Sequence, residues 1–163
     1  MPDPIVVVTY DPEWPAIFEL LAGRADAALG DLTHKIEHIG STSVAGLAAK
    51  PIIDLVVIVA PDDVADAIAR LVSIGYEHQG SLGVDGREAF AALEGDPPHH
   101  LYLSPTDSEE LRAQLAFRDR LRSNADLATR YETLKRQLAV QFRNDRMGYT
   151  DAKTAFVVEA SRP

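Results

Sequence analysis

The sequence predicts an α+β fold: a sheet flanked by helices, with a helical C-terminal segment, in a single domain over residues 1–163. Three observations carry this. The apolar run Ile52 to Val59 is rich in β-branched residues and reads as a buried strand. Turn residues punctuate the stretch from Arg87 to Leu103 as they would a pair of hairpin strands. Before, between and after these strands, apolar residues recur at helical spacing.

Taken in order, Ile5-Val6-Val7-Val8 is a short first strand or extended arm. Asp11 is placed to cap a helix, with Pro12 at its first position. From Pro12 to Leu29 the residues Trp14, Ile17, Phe18, Leu21, Ala25 and Leu29 form its apolar stripe, and Gly30 suits its end. A strand from His34 to Ile39 leads into the turn Gly40-Ser41-Thr42-Ser43. Val44 to Lys50 has room for a short helical turn, halted at Pro51. After the buried strand, Pro61 to Ser73 is an amphipathic helix whose early acids, Asp62, Asp63 and Asp66, suit its positive end.

Gly75 to His78 begins another strand, and Gly80, Gly83 and Gly86 mark a connection without the strand-turn-helix frame of a nucleotide fingerprint. Strands Arg87 to Leu93 and His99 to Leu103 then meet across the turn Glu94 to Pro98. Thr106 or Asp107 caps a helix to about Arg122, and Asn124 opens another to about Arg143. Tyr149-Thr150-Asp151 introduces a short last helix to Glu159.

Composition narrows the function. With 46% hydrophobic and 25% charged residues the chain has the makings of a core. The absence of cysteine excludes disulfides, thiolate metal sites and a Cys nucleophile. A net charge of −9 argues against duplex nucleic acid, whose binding needs clustered cations. The N-terminus lacks a signal-peptide pattern, and no apolar run nears the roughly 20 residues that span a bilayer. A cytoplasmic protein without a membrane partner is expected.

The chemistry gathers around Asp54, the one charge in the buried strand. Unpaired, it would cost several kcal/mol, so it should meet a cation, hydrogen-bond donors or a metal, unless it only caps a strand end. The Gly40-Ser41-Thr42 turn offers unhindered N–H groups and hydroxyls to a phosphate, and Asp54 on the next strand is placed for the accompanying Mg²⁺. His99 and His100 point to opposite faces of their strand, and His100 shares its face with Tyr102. His100 is the site candidate; the other reading is a satisfied core histidine. Arg87 either reaches a phosphate or makes a surface ion pair, and Lys50 either approaches the site or lies in solvent. Arg118 and Arg122 share a helix face, and Lys135 and Lys153 lie on later helices. If such cations converge, they make an anionic-substrate site.

YDPEWP, EHIGSTSVAGLAAKPIIDLVV, HHLYL and LAFRDRLR together resemble the GrpB family over nearly the whole chain. Residues 40 to 58 also look like the entry to the DNA polymerase β-type nucleotidyltransferase fold: a Gly-Ser turn, about a dozen residues, then an acid in an apolar strand. The resemblance implies a mixed sheet of about four to six strands, and it carries over Gly40, Ser41 and Asp54. The active transferases pair two acids as Asp-x-Asp/Glu for two metals, and here the second position is Val56. The expected function is binding of a nucleotide or phosphorylated small molecule, with Mg²⁺-dependent nucleotidyl transfer in which Asp54 holds the metal. His100, Arg87 and Arg118 would stabilise developing negative charge. The alternative is a non-catalytic ligand-binding or partner module that has lost the second acid; some dephospho-CoA kinases carry a GrpB-like domain.

Overall fold

The computed structural model describes residues 4–160. Its centre is a mixed five-stranded sheet of order β1-β2-β5-β4-β3. The strands are β1 (Lys35–Ile39), β2 (Ile53–Val59), β3 (Glu77–Gly80), β4 (Glu88–Ala91) and β5 (His99–Pro105). β2 runs antiparallel to β1 and parallel to β5, and β5, β4 and β3 form an antiparallel meander. The α+β class and the mixed sheet of the sequence reading are therefore present.

Helices α1 (Trp14–Leu29) and α2 (Val64–Ser73) cover one face. Alternation sets which strand residues they meet: Leu55, Val57, Leu101, Leu103 and Phe90 point to them, and with Trp14, Leu21, Leu29 and Leu71 make the main core. On the opposite face α3 (Glu109–Ser123) packs Leu111 and Leu115 on Ile39, Val56 and Ile58. Next come α4 (Ala125–Gln141) and α5 (Arg146–Ala160). They form smaller cores with Val44, Leu47 and Leu121, and with Ile5 of the N-terminal arm.

Several expectations shift. Ile5 to Val8 is an extended arm with one bridge, Val8 to Ala49, and not a ladder strand. Asp11 accepts from Glu13 N–H at 2.9 Å, as expected of a capping residue, whereas α1 itself begins at Trp14, past the expected Pro12. The 3₁₀ turn falls on Ser41–Ser43, and Val44 to Lys50 is not helical. β4 is shorter than the expected Arg87 to Leu93, and β5 runs past Leu103 to Pro105. That extension leaves Ser108, and neither Thr106 nor Asp107, to cap α3 by accepting from Leu111 N–H at 3.1 Å. Asp145 accepts from Gly148 N–H at 2.9 Å and opens α5 three residues before the expected Tyr149.

Candidate functional site

Gly40 ends β1 with φ +73°, a conformation open to glycine, and directs the 3₁₀ turn against Asp54. A Cβ on Gly40 would fall 2.5 Å from Asp54 Oδ2, so turn and carboxylate are in intimate contact. The turn spends the N–H groups of Ser43 and Val44 on the Gly40 and Ser41 carbonyls. Those of Ser41 and Thr42, at its head, have no acceptor within it. Arg122 clamps the turn from α3, donating from Nε and an η nitrogen to the Ser43 carbonyl at 3.0 and 2.8 Å. From below, the buried Thr42 hydroxyl pairs with His38 Nε2 at 2.9 Å. His38 stacks on Phe18, and burial pushes its imidazole down to about 4. Thr42 therefore faces inward with its side chain.

Asp54 is the second residue of β2 and sits level with His100 in the parallel ladder. His100 Nδ1–H donates to Asp54 Oδ1 at 2.8 Å, with the imidazole half exposed. Tyr102 follows on the same face, its ring 6.1 Å from that of His100. His99 points the other way and is a satisfied core histidine, paired with the Tyr76 hydroxyl at 2.9 Å.

Cations approach from the far side of the turn. Lys50 lies just before β2, Lys135 on α4 and Lys153 on α5; Lys50 and Lys153 flank the Tyr149 ring, their Nζ atoms 5.1 and 5.4 Å from its centroid. Lys135 Nζ is 4.8 Å from the Tyr131 ring and donates to the Ala48 carbonyl. Burial pushes the Tyr131 phenol up, and the nearby Ser41 side chain partly offsets this. Burial pushes the Lys135 ammonium down to about 7, with repulsion from Lys153 and Lys50 adding to it. Lys50 and Lys153 are lowered too, chiefly by burial, and the Asp54 carboxylate partly restores both. Three lysines thus converge on the side of Asp54 where the Gly-Ser turn lies.

The structure brings Gly40, Ser41, Asp54, His100 and Lys50 together. Arg87 lies further along the sheet, over the Tyr102 ring at 4.6 Å. Arg118 does not join them: buried under α3, its guanidinium donates to Glu37 at 2.7 Å, to the His38 carbonyl at 3.1 Å and to Asp119. Tyr131 and Tyr149 lie buried beneath the lysines, and no local spacing in the sequence links them to the turn. A surface hollow lies elsewhere, between the Gly83–Gly86 loop and the start of α3, and is lined by Asp85, Asp107, Glu109 and Glu110. Its acidic lining suits no phosphate.

The sheet and its flanking helices have a fold shared with solved nucleotidyltransferase structures. The Cid1 poly(U) polymerase, solved with the UTP analog UMPNPP, superposes with a TM-score of 0.55 over 79% of this chain and 40% of its own, at 13% identity. The chain belongs to the GrpB family, whose profile, described as GrpB protein, matches residues 4–162. The GrpB crystal structure from Enterococcus faecalis is 39% identical, with a TM-score of 0.82 over 96% of this chain and 97% of that one. The glutamate-rich protein GrpB of Alkalihalophilus pseudofirmus is 32% identical, over 95% of this chain and 92% of its own length. A dephospho-CoA kinase of Mycolicibacterium paratuberculosis is 25% identical over 98% of this chain, which corresponds to 46% of the kinase.

A Mg²⁺ ion, which this fold class implies, can be tested against the donors present. Paired-ion chemistry needs carboxylates side by side. The second position on β2 is Val56, fully buried among Ile39, Ile58 and Leu111. Among the described residues no three His, Cys, Asp or Glu side chains cluster as an ion site. The donor set fits one ion shared with a ligand's own oxygens, with Asp54 as its carboxylate, and does not fit a resident pair. No helix among the described residues is long and apolar enough to cross a membrane.

Proposed function

We propose that this is a cytoplasmic, single-domain protein that binds a nucleotide or a related phosphorylated small molecule between the Gly40–Ser43 turn and the lysine cluster. The observation that carries the reading is the convergence of Lys50, Lys135 and Lys153 beside the turn in a chain of net charge −9. Burial keeps cations costly, and against these three lysines the described residues set two carboxylates, Asp54 and Glu132, which leaves a compensating charge to be supplied. A phosphate supplies it.

In this reading Ser41 and the head of the turn hold a phosphate, and the lysines neutralise the phosphates beyond it. Asp54 would hold a Mg²⁺ ion accompanying the ligand, and that ion would supply charge neutralisation at the phosphoryl group. Asp54 also fixes the His100 ring through Nδ1, which leaves Nε2 for the ligand. Nucleotidyl transfer to an unidentified acceptor is the activity these parts would serve. Val56 favours a second reading, a binding module without turnover.

Calorimetric titration with a panel of nucleoside triphosphates, with and without Mg²⁺, decides the matter. Weak binding that strengthens with Mg²⁺ is expected, with Asp54→Asn removing the metal-dependent part. Failure of every nucleotide to bind at about 1 mM defeats the nucleotide reading. Binding without release of pyrophosphate selects the second reading over transfer.

A further inference from the structure

We propose that Arg87 and Tyr102 form a second anion-binding subsite, one that holds a phosphate or carboxylate group of the second substrate. The inference rests on the nucleotide reading above, in which Asp54 marks where two substrates meet. Lys50 and Lys153 reach Asp54 from the β1–β2 connection and α5, with Lys135 of α4 behind them; Arg87 stands at the head of β4, with β5 between.

Contacts connect the two places. Arg87 Cζ lies 4.6 Å from the Tyr102 ring centroid, the Tyr102 ring lies 6.1 Å from His100, and His100 holds Asp54 at 2.8 Å. These side chains form one row along a single face of the sheet. Arg24, Arg70 and Arg118 each hold a carboxylate, whereas Arg87 has no such partner among the described residues.

Its Nε is buried without a hydrogen-bond partner, as is the Oγ of the fully buried Ser104; no other buried side-chain N or O among the described residues is in that condition. The register pairs Glu88 with Leu103, so Arg87 stands one rung on, level with Ser104. Buried polar atoms are almost always satisfied, and two orphans on one face of neighbouring chain segments mark a place for a group that the described residues do not supply. Burial, and next the Asp54 carboxylate, push the Tyr102 phenol up to about 12, which keeps it a donor. Glu110, whose field also reaches Tyr102, accepts from Gln114 Nε2 at 3.2 Å and makes no ion pair with Arg87. Gly86 packs so closely on Ser108 that a Cβ would fall 2.5 Å from its Oγ, which fixes the backbone from which Arg87 projects. A guanidinium placed over an aromatic ring, here with Cζ 4.6 Å from the centroid, can present its fork to an oxyanion.

The test uses the full chain labelled with ¹⁵N. The Arg87 Nε–H resonance, assigned by its loss in Arg87→Lys, is followed while inorganic phosphate is added, and in a parallel series acetate. A saturable shift with either supports the subsite, and the anion that saturates first distinguishes phosphate from carboxylate. The same titration in Lys135→Met should be unchanged, because the lysines lie across the sheet. An Arg87 signal that stays still, or drifts linearly without saturating, up to about 10 mM of both anions overturns the proposal, even if nucleotide binds. A saturable Arg87 response in a chain that binds no nucleotide supports the subsite and removes the reading on which its acceptor role rests.

Discussion

Gly40 and Asp54 are so close that each constrains the other. Gly40→Ala meets two obstacles, a φ of +73° and a carboxylate oxygen at 2.5 Å. Strain of that kind costs roughly 1–3 kcal/mol. Denaturant unfolding should show that loss, and the displaced Asp54 should weaken nucleotide binding as well; an unchanged midpoint would mean the turn relaxes freely. Ser41→Ala removes one phosphate hydrogen bond and should weaken nucleotide binding by about 1 kcal/mol. Lys135 gives a prediction in pH. Its folded value is about 7 against 10.5 in an unfolded chain, so between these values the unfolded state binds more protons. This lysine therefore costs nothing above about 10.5, costs progressively more as pH falls, and reaches its full cost below about 7. Lys135→Met should flatten the rise of stability with pH across that window, measured by urea unfolding at several pH values. Anion binding restores the charge, so calorimetry in buffers of different ionisation enthalpy should show proton uptake in the same window. Proton release would contradict this assignment.

At the scale of elements, strands and helices were legible where periodicity was strong, and their ends were less so. The apolar run after Pro51 is a strand because β-branched residues crowd it, and α2 follows its stripe of Ala67, Ile68 and Leu71. Ends depend on hydrogen bonds that neighbours decide. Thr106 donates its N–H to the Val59 carbonyl at 2.9 Å and so belongs to the end of the β5 ladder, which hands the cap of α3 to Ser108. Ser108→Ala should then cost about 1 kcal/mol, read from thermal or denaturant unfolding, whereas Thr106→Ala should leave the cap intact. Equal effects from both would show that the cap is shared. α3 matters to the site through its arginines. Arg118 and Arg122 share a face, as their spacing implies, but they grip Glu37 and the Ser43 carbonyl. They steady β1 and the turn from behind, a placement that a helical wheel cannot distinguish from facing a ligand.

Over the whole molecule, the site divides into a legible half and a hidden half. Gly40 and Ser41 lie in the connection that leads to Asp54 on β2, and His100 enters because β5 is the parallel neighbour of β2. Lys135, Lys153, Tyr131 and Tyr149 come from two helices whose docking rests on small separate cores around Leu127 and Leu138, and no local pattern records that docking. The same arrangement settles what large partners the protein should refuse. Three of its lysines are drawn together beside tyrosine rings, across the sheet from Arg87, while the helices intersperse exposed acids such as Asp62, Glu109, Asp126 and Asp151 with exposed arginines such as Arg112 and Arg130. Duplex binding gains its affinity from counterions released along a continuous basic stripe. A cleft of three lysines in a chain of net charge −9 offers too few contacts in a line, and its acidic surround repels the flanking phosphates. A fluorescently labelled random duplex should therefore show no binding in about 150 mM salt. The contrast with a mononucleotide is one of reach, because a single polyphosphate fits where a helix of phosphates meets the acidic rim. Submicromolar duplex affinity would require a basic surface that the fold does not display, and would overturn the small-ligand account of the cleft.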